Sequence, residues 1–161
     1  MTKEEQLIIA AANDDFKTVQ EFLKNSSLNV NVVDDYGRTA LHYSVKYYAH
    51  QDNMENKERM KIMELIVKRG ADVTKQDYEG NTAFSYAIKY DHLDVVKFLF
   101  NFKACIGPKD HIGFTPFDYA LAFTSENSEI GVFLRKKATE VENELNEYQE
   151  QGSISVPRCS R

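Results

Sequence analysis

One short turn, repeated at a fixed distance, constrains this chain more than any other feature. The pattern Asp-x-x-Gly-x-Thr occurs at residues 34–39, 77–82 and 110–115. Gly80 and Gly113 are 33 residues apart, and Gly37 and Gly80 are 43 apart, one such period plus ten. Each turn is followed by a helical stretch and then by a second apolar run, at 62–67, 95–100 and 130–134. A copy without its opening turn precedes them: 7–11, then 19–23, then Asn29, Val30 and Asn31. A period of this length marks a stacked array of small units, none of which can bury its apolar side alone.

The chemistry of the unit follows from its residue types. Asp-x-x-Gly-x-Thr is turn chemistry, in which glycine supplies a positive φ that other residues resist. Thr39, Thr82 and Thr115 stand where a hydroxyl caps a helix N-terminus. Leu41 with Val45, and Phe84 with Ile88, are four apart and give that helix one apolar face. Lys68-Arg69-Gly70-Ala71-Asp72-Val73 supplies a glycine stop for the second helix and an extended return.

These motifs resemble the ankyrin-repeat family, whose unit of 33 residues carries Gly-x-Thr-Pro-Leu-His and Gly-Ala-Asp-Val hallmarks. The resemblance covers nearly residues 1–142. It departs from the family where Ser27 and Lys103 replace the second glycine, so those helix ends need another cap, and only Pro116 keeps the proline. What it implies is an all-α solenoid of helix–turn–helix units with short hairpin-like loops, closed by a C-terminal capping helix. The expected organisation is a repeat domain over 1–137, with units at about 1–33, 34–76, 77–109 and 110–137. An amphipathic helix is expected over 138–150 and a flexible tail over 151–161.

In this family the turn tips and the inner face of each first helix form a concave partner surface. Here the tips carry Tyr36 and Arg38, then Tyr78 and Asn81, then Ile112 and Phe114. The tenth position of each unit is Tyr43, Tyr86 and Tyr119; the fourteenth is Tyr47, Tyr90 and Phe123, with Lys46 and Lys89 just before. Seven of the nine tyrosines therefore fall on one expected face. Tyrosine combines contact area, few rotatable bonds and a polar tip, which suits a binding surface. The tenth-position tyrosines have a second reading, packing between neighbouring helices with their hydroxyls satisfied locally.

The ten extra residues of the second unit fall within 48–58, a polar stretch that either lengthens the helices or forms a loop. Ala138, Val141, Leu145 and Tyr148 form a single apolar stripe, expected to fold back over the last unit. Five glutamates between Glu140 and Glu150 resemble the export signals of bacterial type IV effectors, although a charged helix face exposed to water is the commoner explanation. Asn31 resembles the hairpin asparagine that ankyrin proteins offer to asparaginyl hydroxylases.

Other chemistries are poorly supported. Net charge is −5 without a basic cluster, which disfavours nucleic acid and anionic membrane. The longest apolar run, residues 7–12, is too short to span a bilayer, and the N-terminus lacks a basic signal region. Cys105 and Cys159 form no C-x-x-C pair, which points to a reducing, cytoplasmic setting. No nucleophile elbow, phosphate loop or dinucleotide glycine pattern is present. His42 and His92 are expected to hydrogen bond within and between units; His50, Asp52 and Glu55 match no standard metal spacing. The expectation is a monomeric, non-enzymatic module without cofactor or metal that sequesters, inhibits or scaffolds another protein. Its plan resembles short inhibitors of cyclin-dependent kinases and of transcription factors. The alternative is a bacterial effector secreted through a type IV system that holds a host protein.

Overall fold

The computed structural model describes residues 2–24, 27–46, 54–102, 111–115, 118, 122 and 128–150, with side chains for all of these except 54–56, 138 and 141–150. Calls that fall on Tyr47, Tyr119, Phe123, His50, Asp52, the 48–53 part of the insertion and the tail lie outside these residues.

The described helices are α1 (Lys3–Ala12), α2 (Phe16–Lys24), α3 (Ala40–Lys46), α4 (Met54–Lys68), α5 (Ala83–Lys89), α6 (Leu93–Asn101) and α7 (Glu129–Glu150). Several start where the sequence offers a cap. Thr2 and Glu5 form a reciprocal capping box on α1, and Thr82 and Ser85 form another on α5. Asp15 takes the Thr18 amide at 3.1 Å in the first turn of α2. Gly70 ends α4 at φ +87°, and the Ala71 amide reaches back to the Ile66 carbonyl at 3.2 Å, a Schellman closure.

Stacking follows the apolar spacing. Helices α1, α3 and α5 lie side by side, α2 packs against α4, and α6 meets α7. Leu7, Leu41 and Phe84 occupy matching sites on successive first helices and are fully buried, with Ala11, Val45 and Ile88 one turn later. Val19, Ile62, Val95 and Ile130 do the same on the second helices. The core is thus a continuous ribbon, each unit covering its neighbour's apolar side. The all-α solenoid expected from the period is the observed architecture.

For the described part of the insertion the longer-helix reading holds, and the C-terminal segment differs from its reading. Helix α4 has 15 residues, against nine in both α2 and α6, so part of the insertion lengthens a helix at its N-terminus. The segment 138–150 does not fold back as a separate element, because α7 runs unbroken for 22 residues from Glu129. Nothing between Val132 and Glu150 is a glycine or proline, so no residue there breaks the helix. No described helix is long and apolar enough to cross a membrane.

Candidate protein-binding face

The turn at each tip is built around its opening aspartate. Asp34 Oδ1 accepts the amides of Tyr36 and Arg38, both at 2.9 Å, and the Gly37 amide donates to the Asp34 carbonyl at 3.0 Å. Asp77 repeats the arrangement: its Oδ1 takes the Glu79 and Asn81 amides at 3.0 and 2.8 Å, while Gly80 closes the turn. Gly37 and Gly80 adopt φ +74° and +84°. At Gly37 the demand is double, because a Cβ there would come within 2.5 Å of the Tyr78 ring.

The second carboxylate oxygen satisfies the hydroxyls of Tyr43 and Tyr86 locally. The Tyr43 hydroxyl donates to Asp34 Oδ2 at 2.6 Å, and the Tyr86 hydroxyl donates to Asp77 Oδ2 at 2.7 Å. Each tyrosine therefore ties the first helix to its own turn. Burial alone would raise the Asp34 and Asp77 pKa values, but the tyrosine hydroxyls and turn amides outweigh it and hold both below the usual carboxylate range. This tie was written in the sequence as an aspartate and a tyrosine nine residues apart, a signal that the stripe reading passed over. Asp110 and Tyr119 have the same spacing but lie outside the described residues.

The eleven candidate contact residues that lie among the described residues separate by depth. Tyr36, Tyr78 and Ile112 stand out at the tips, 62%, 64% and 69% exposed. Arg38 is half-buried, its guanidinium 5.0 Å from the Tyr36 ring centre and its Nε 3.7 Å from Asp77 of the next unit. Lys89 and Tyr90 are exposed, while Lys46, Tyr43 and Phe114 are half-buried. Tyr90 stacks on Tyr86 with ring centres 5.9 Å apart. Asn81 and Tyr86 are interior: Asn81 holds Lys89 Nζ at 2.6 Å through its side chain, and Tyr86 is fixed by Asp77. They support the face from behind because their polar atoms are already engaged.

Polar ties set the register between units. The Tyr78 amide donates to the Tyr36 carbonyl at 3.0 Å, joining one tip to the next. Buried His42 lies 2.9 Å from Thr39 Oγ1 through Nδ1 and 3.1 Å from the Asn81 carbonyl through Nε2. Burial pushes its pKa down, so the ring is neutral at neutral pH. The expected role of His42 within and between units is what these bonds describe. Asn31 spans units as well: its Nδ2 donates to the Gly70 carbonyl at 3.2 Å, and its Oδ1 accepts the Asp72 amide at 2.7 Å. At the other end of the helices, Arg59, just after the insertion, pairs with Asp14 in the turn between α1 and α2. Asp14 holds φ +59°, and neither partner was legible as a pair, since 45 residues separate them.

The comparisons agree with this geometry. The ankyrin-repeat model, three copies, matches residues 2–77 and 54–144. A putative ankyrin repeat protein of Rickettsia bellii is 26% identical over 138 residues, covering 81% of this chain and 72% of that protein. An ankyrin repeat protein of Variola virus is 34% identical over 102 residues, covering 60% of this chain but only 17% of its own length. The chain thus spans about a sixth of that viral relative. With the repeated turn, the paired helices and the matched span taken together, the chain belongs to the ankyrin-repeat family.

Proposed function

We propose that this chain is a non-catalytic module that sequesters, inhibits or scaffolds another protein through its tips and inner helical face. Ankyrin repeats are in general protein-interaction modules, and the reading builds on that. The observation that carries it is the row of large apolar side chains left in water at Tyr36, Tyr78 and Ile112. Unlike Tyr43 and Tyr86, whose hydroxyls are spent on the fold, these side chains add little to the core and offer rigid area to a partner. Tyr90 and Phe114 extend the surface, and Arg38, Lys46 and Lys89 supply positive charge along it. Tyr47, Tyr119 and Phe123 belong to the same proposed surface by their register in the sequence. The module acts as a monomer in a reducing, cytoplasmic setting, with no cofactor, metal, nucleic acid or membrane required.

The test is a double variant, Tyr36→Ser with Tyr78→Ser. Affinity capture from the native cell should lose its partner about tenfold or more, while the melting temperature moves by less than about 2 °C. Undiminished capture, or a catalytic turnover found with the pure protein, would overturn the proposal.

A second reading, a secreted effector that holds a host protein, draws on the Rickettsia relative, which shares most of its length with this chain. A translocation reporter fused to the chain with and without residues 138–161 decides it. Equal export after deletion would remove the glutamate-rich segment as a signal.

A further inference from the structure

The ladder of tips has one open rung. Tyr78 and Asp35 hold the same place in their turns, directly after the opening aspartate, and the two turns match bond for bond. In the third unit this amide is used, since Tyr78 N–H donates to the Tyr36 carbonyl of the preceding tip at 3.0 Å. In the second unit no described residue accepts from Asp35 N–H, and Asp35 is exposed. Beside it lies a hollow of about 490 Å³ between α1 and the 33–35 segment. Its apolar wall includes Ile8, Ile9 and Val33; its rim carries three carboxylates, Glu5, Asp34 and Asp35, with Asn13 and Tyr43 beside them. Ile9 is 47% exposed although it faces a ready-made apolar site.

An edge donor, an apolar hollow and a rim whose only charged groups are carboxylates specify one kind of occupant. We propose that this edge takes an extended segment of a partner protein, in which aliphatic side chains alternate with arginine or lysine. A backbone carbonyl of that segment accepts from Asp35 N–H and repeats the Tyr36–Tyr78 bond. One aliphatic side chain enters the hollow against Ile8, Ile9 and Val33, and the flanking cation meets the acidic rim. The proposal rests on the protein-binding reading above but uses a different surface from the exposed tip aromatics.

The probe is an acetylated hexapeptide alternating valine and arginine, titrated onto the full chain and followed by amide resonances and by anisotropy. The Asp35 amide and the α1 resonances around Ile9 should shift together. Asp35→Pro removes the donor at the second position of a four-residue turn, where proline fits, and should weaken binding about tenfold. Asp35→Asn keeps the donor and removes one charge, so it should weaken binding only about threefold. Ile9→Arg, on an exposed site that does not threaten folding, should also cost about tenfold. Wild-type affinity in Asp35→Pro, equal binding of a valine–glutamate peptide, or no binding at about 1 mM peptide would overturn the proposal. Binding lost in Tyr78→Ser but kept in Asp35→Pro would also overturn it, while leaving the protein-binding reading intact. If the tip variants also fail to change native capture, that broader reading falls with it.

Discussion

The first and second joints of the stack hold together in different ways. Between the second and third units the polar ties gather at the tip side: Tyr36 with Tyr78, Arg38 with Asp77, and His42 with Asn81. Between the first and second units they lie at opposite ends. Asn31 grips Gly70 and Asp72 near the tips, and Arg59 grips Asp14 at the far helix ends. Both joints bury the same kind of apolar ribbon, so the difference lies in how orientation is fixed. The inner joint is set by many short bonds in one place. The outer joint is set by two points spread along the unit, and one of them is an ion pair removed from water.

The largest effect is expected at that ion pair. Burial pushes the Arg59 guanidinium down to about 10, so it remains charged at neutral pH. Arg59→Ala removes the cation and leaves the Asp14 carboxylate poorly compensated, at a cost of about 3 kcal/mol. Urea titration measures the loss, and amide exchange should rise first in α1 and α2. Exchange that rises first in α5 would mean the two joints are not independent.

The tips give the next comparison. Gly37→Ala meets both a positive φ and the Tyr78 ring, and should cost about 2 kcal/mol or more. Gly113→Ala meets a positive φ but no atom within 4 Å, and should cost about 1 kcal/mol. Equal losses in thermal or urea unfolding would show that the ring yields freely and that the inner joint is looser than its bonds imply.

The smallest effect is a pH dependence confined to the inner joint. Unfolded, the His42 imidazole takes a proton near pH 6.5, while in the fold its pKa is lower. The unfolded state therefore binds more protons, and stability is lost as pH falls below about 6.5. The slope from this one group is at most about 1.4 kcal/mol per pH unit. Asp34 and Asp77, whose folded pKa values are also depressed, add a loss of the same sign below about pH 4. Stability curves of wild type and His42→Gln should differ in slope just below pH 6.5. Parallel curves there would assign the early acid loss elsewhere.

Much of the inner joint could be anticipated from local chemistry. The turn residues, the threonine caps and the apolar pairs four apart act within a few residues of one another, and periodicity exposes them. The outer joint could not, because Arg59 and Asp14 approach only after the units stack. The candidate face was partly hidden for another reason. A tyrosine at Tyr36 and one at Tyr86 carry the same letter, yet one meets water and the other meets a carboxylate. Only the aspartate nine residues earlier distinguished Tyr43 and Tyr86, and that spacing belongs neither to a helix stripe nor to a strand. The course of α7 was misjudged for lack of breakers, and the insertion stayed open between two readings because polar helix and polar loop differ little in composition.

The contact of the Tyr78 ring with Gly37 also limits what variation the protein can carry. Every other amino acid has a β-carbon, and that single atom is what the ring excludes. Position 37 therefore has an alphabet of one letter, whatever the chemistry of the replacement. Position 113, strained but open, has an alphabet of several, led by asparagine and aspartate. Two glycines that read alike along the chain thus differ in heritable freedom, and the less free one guards the spacing between two tips.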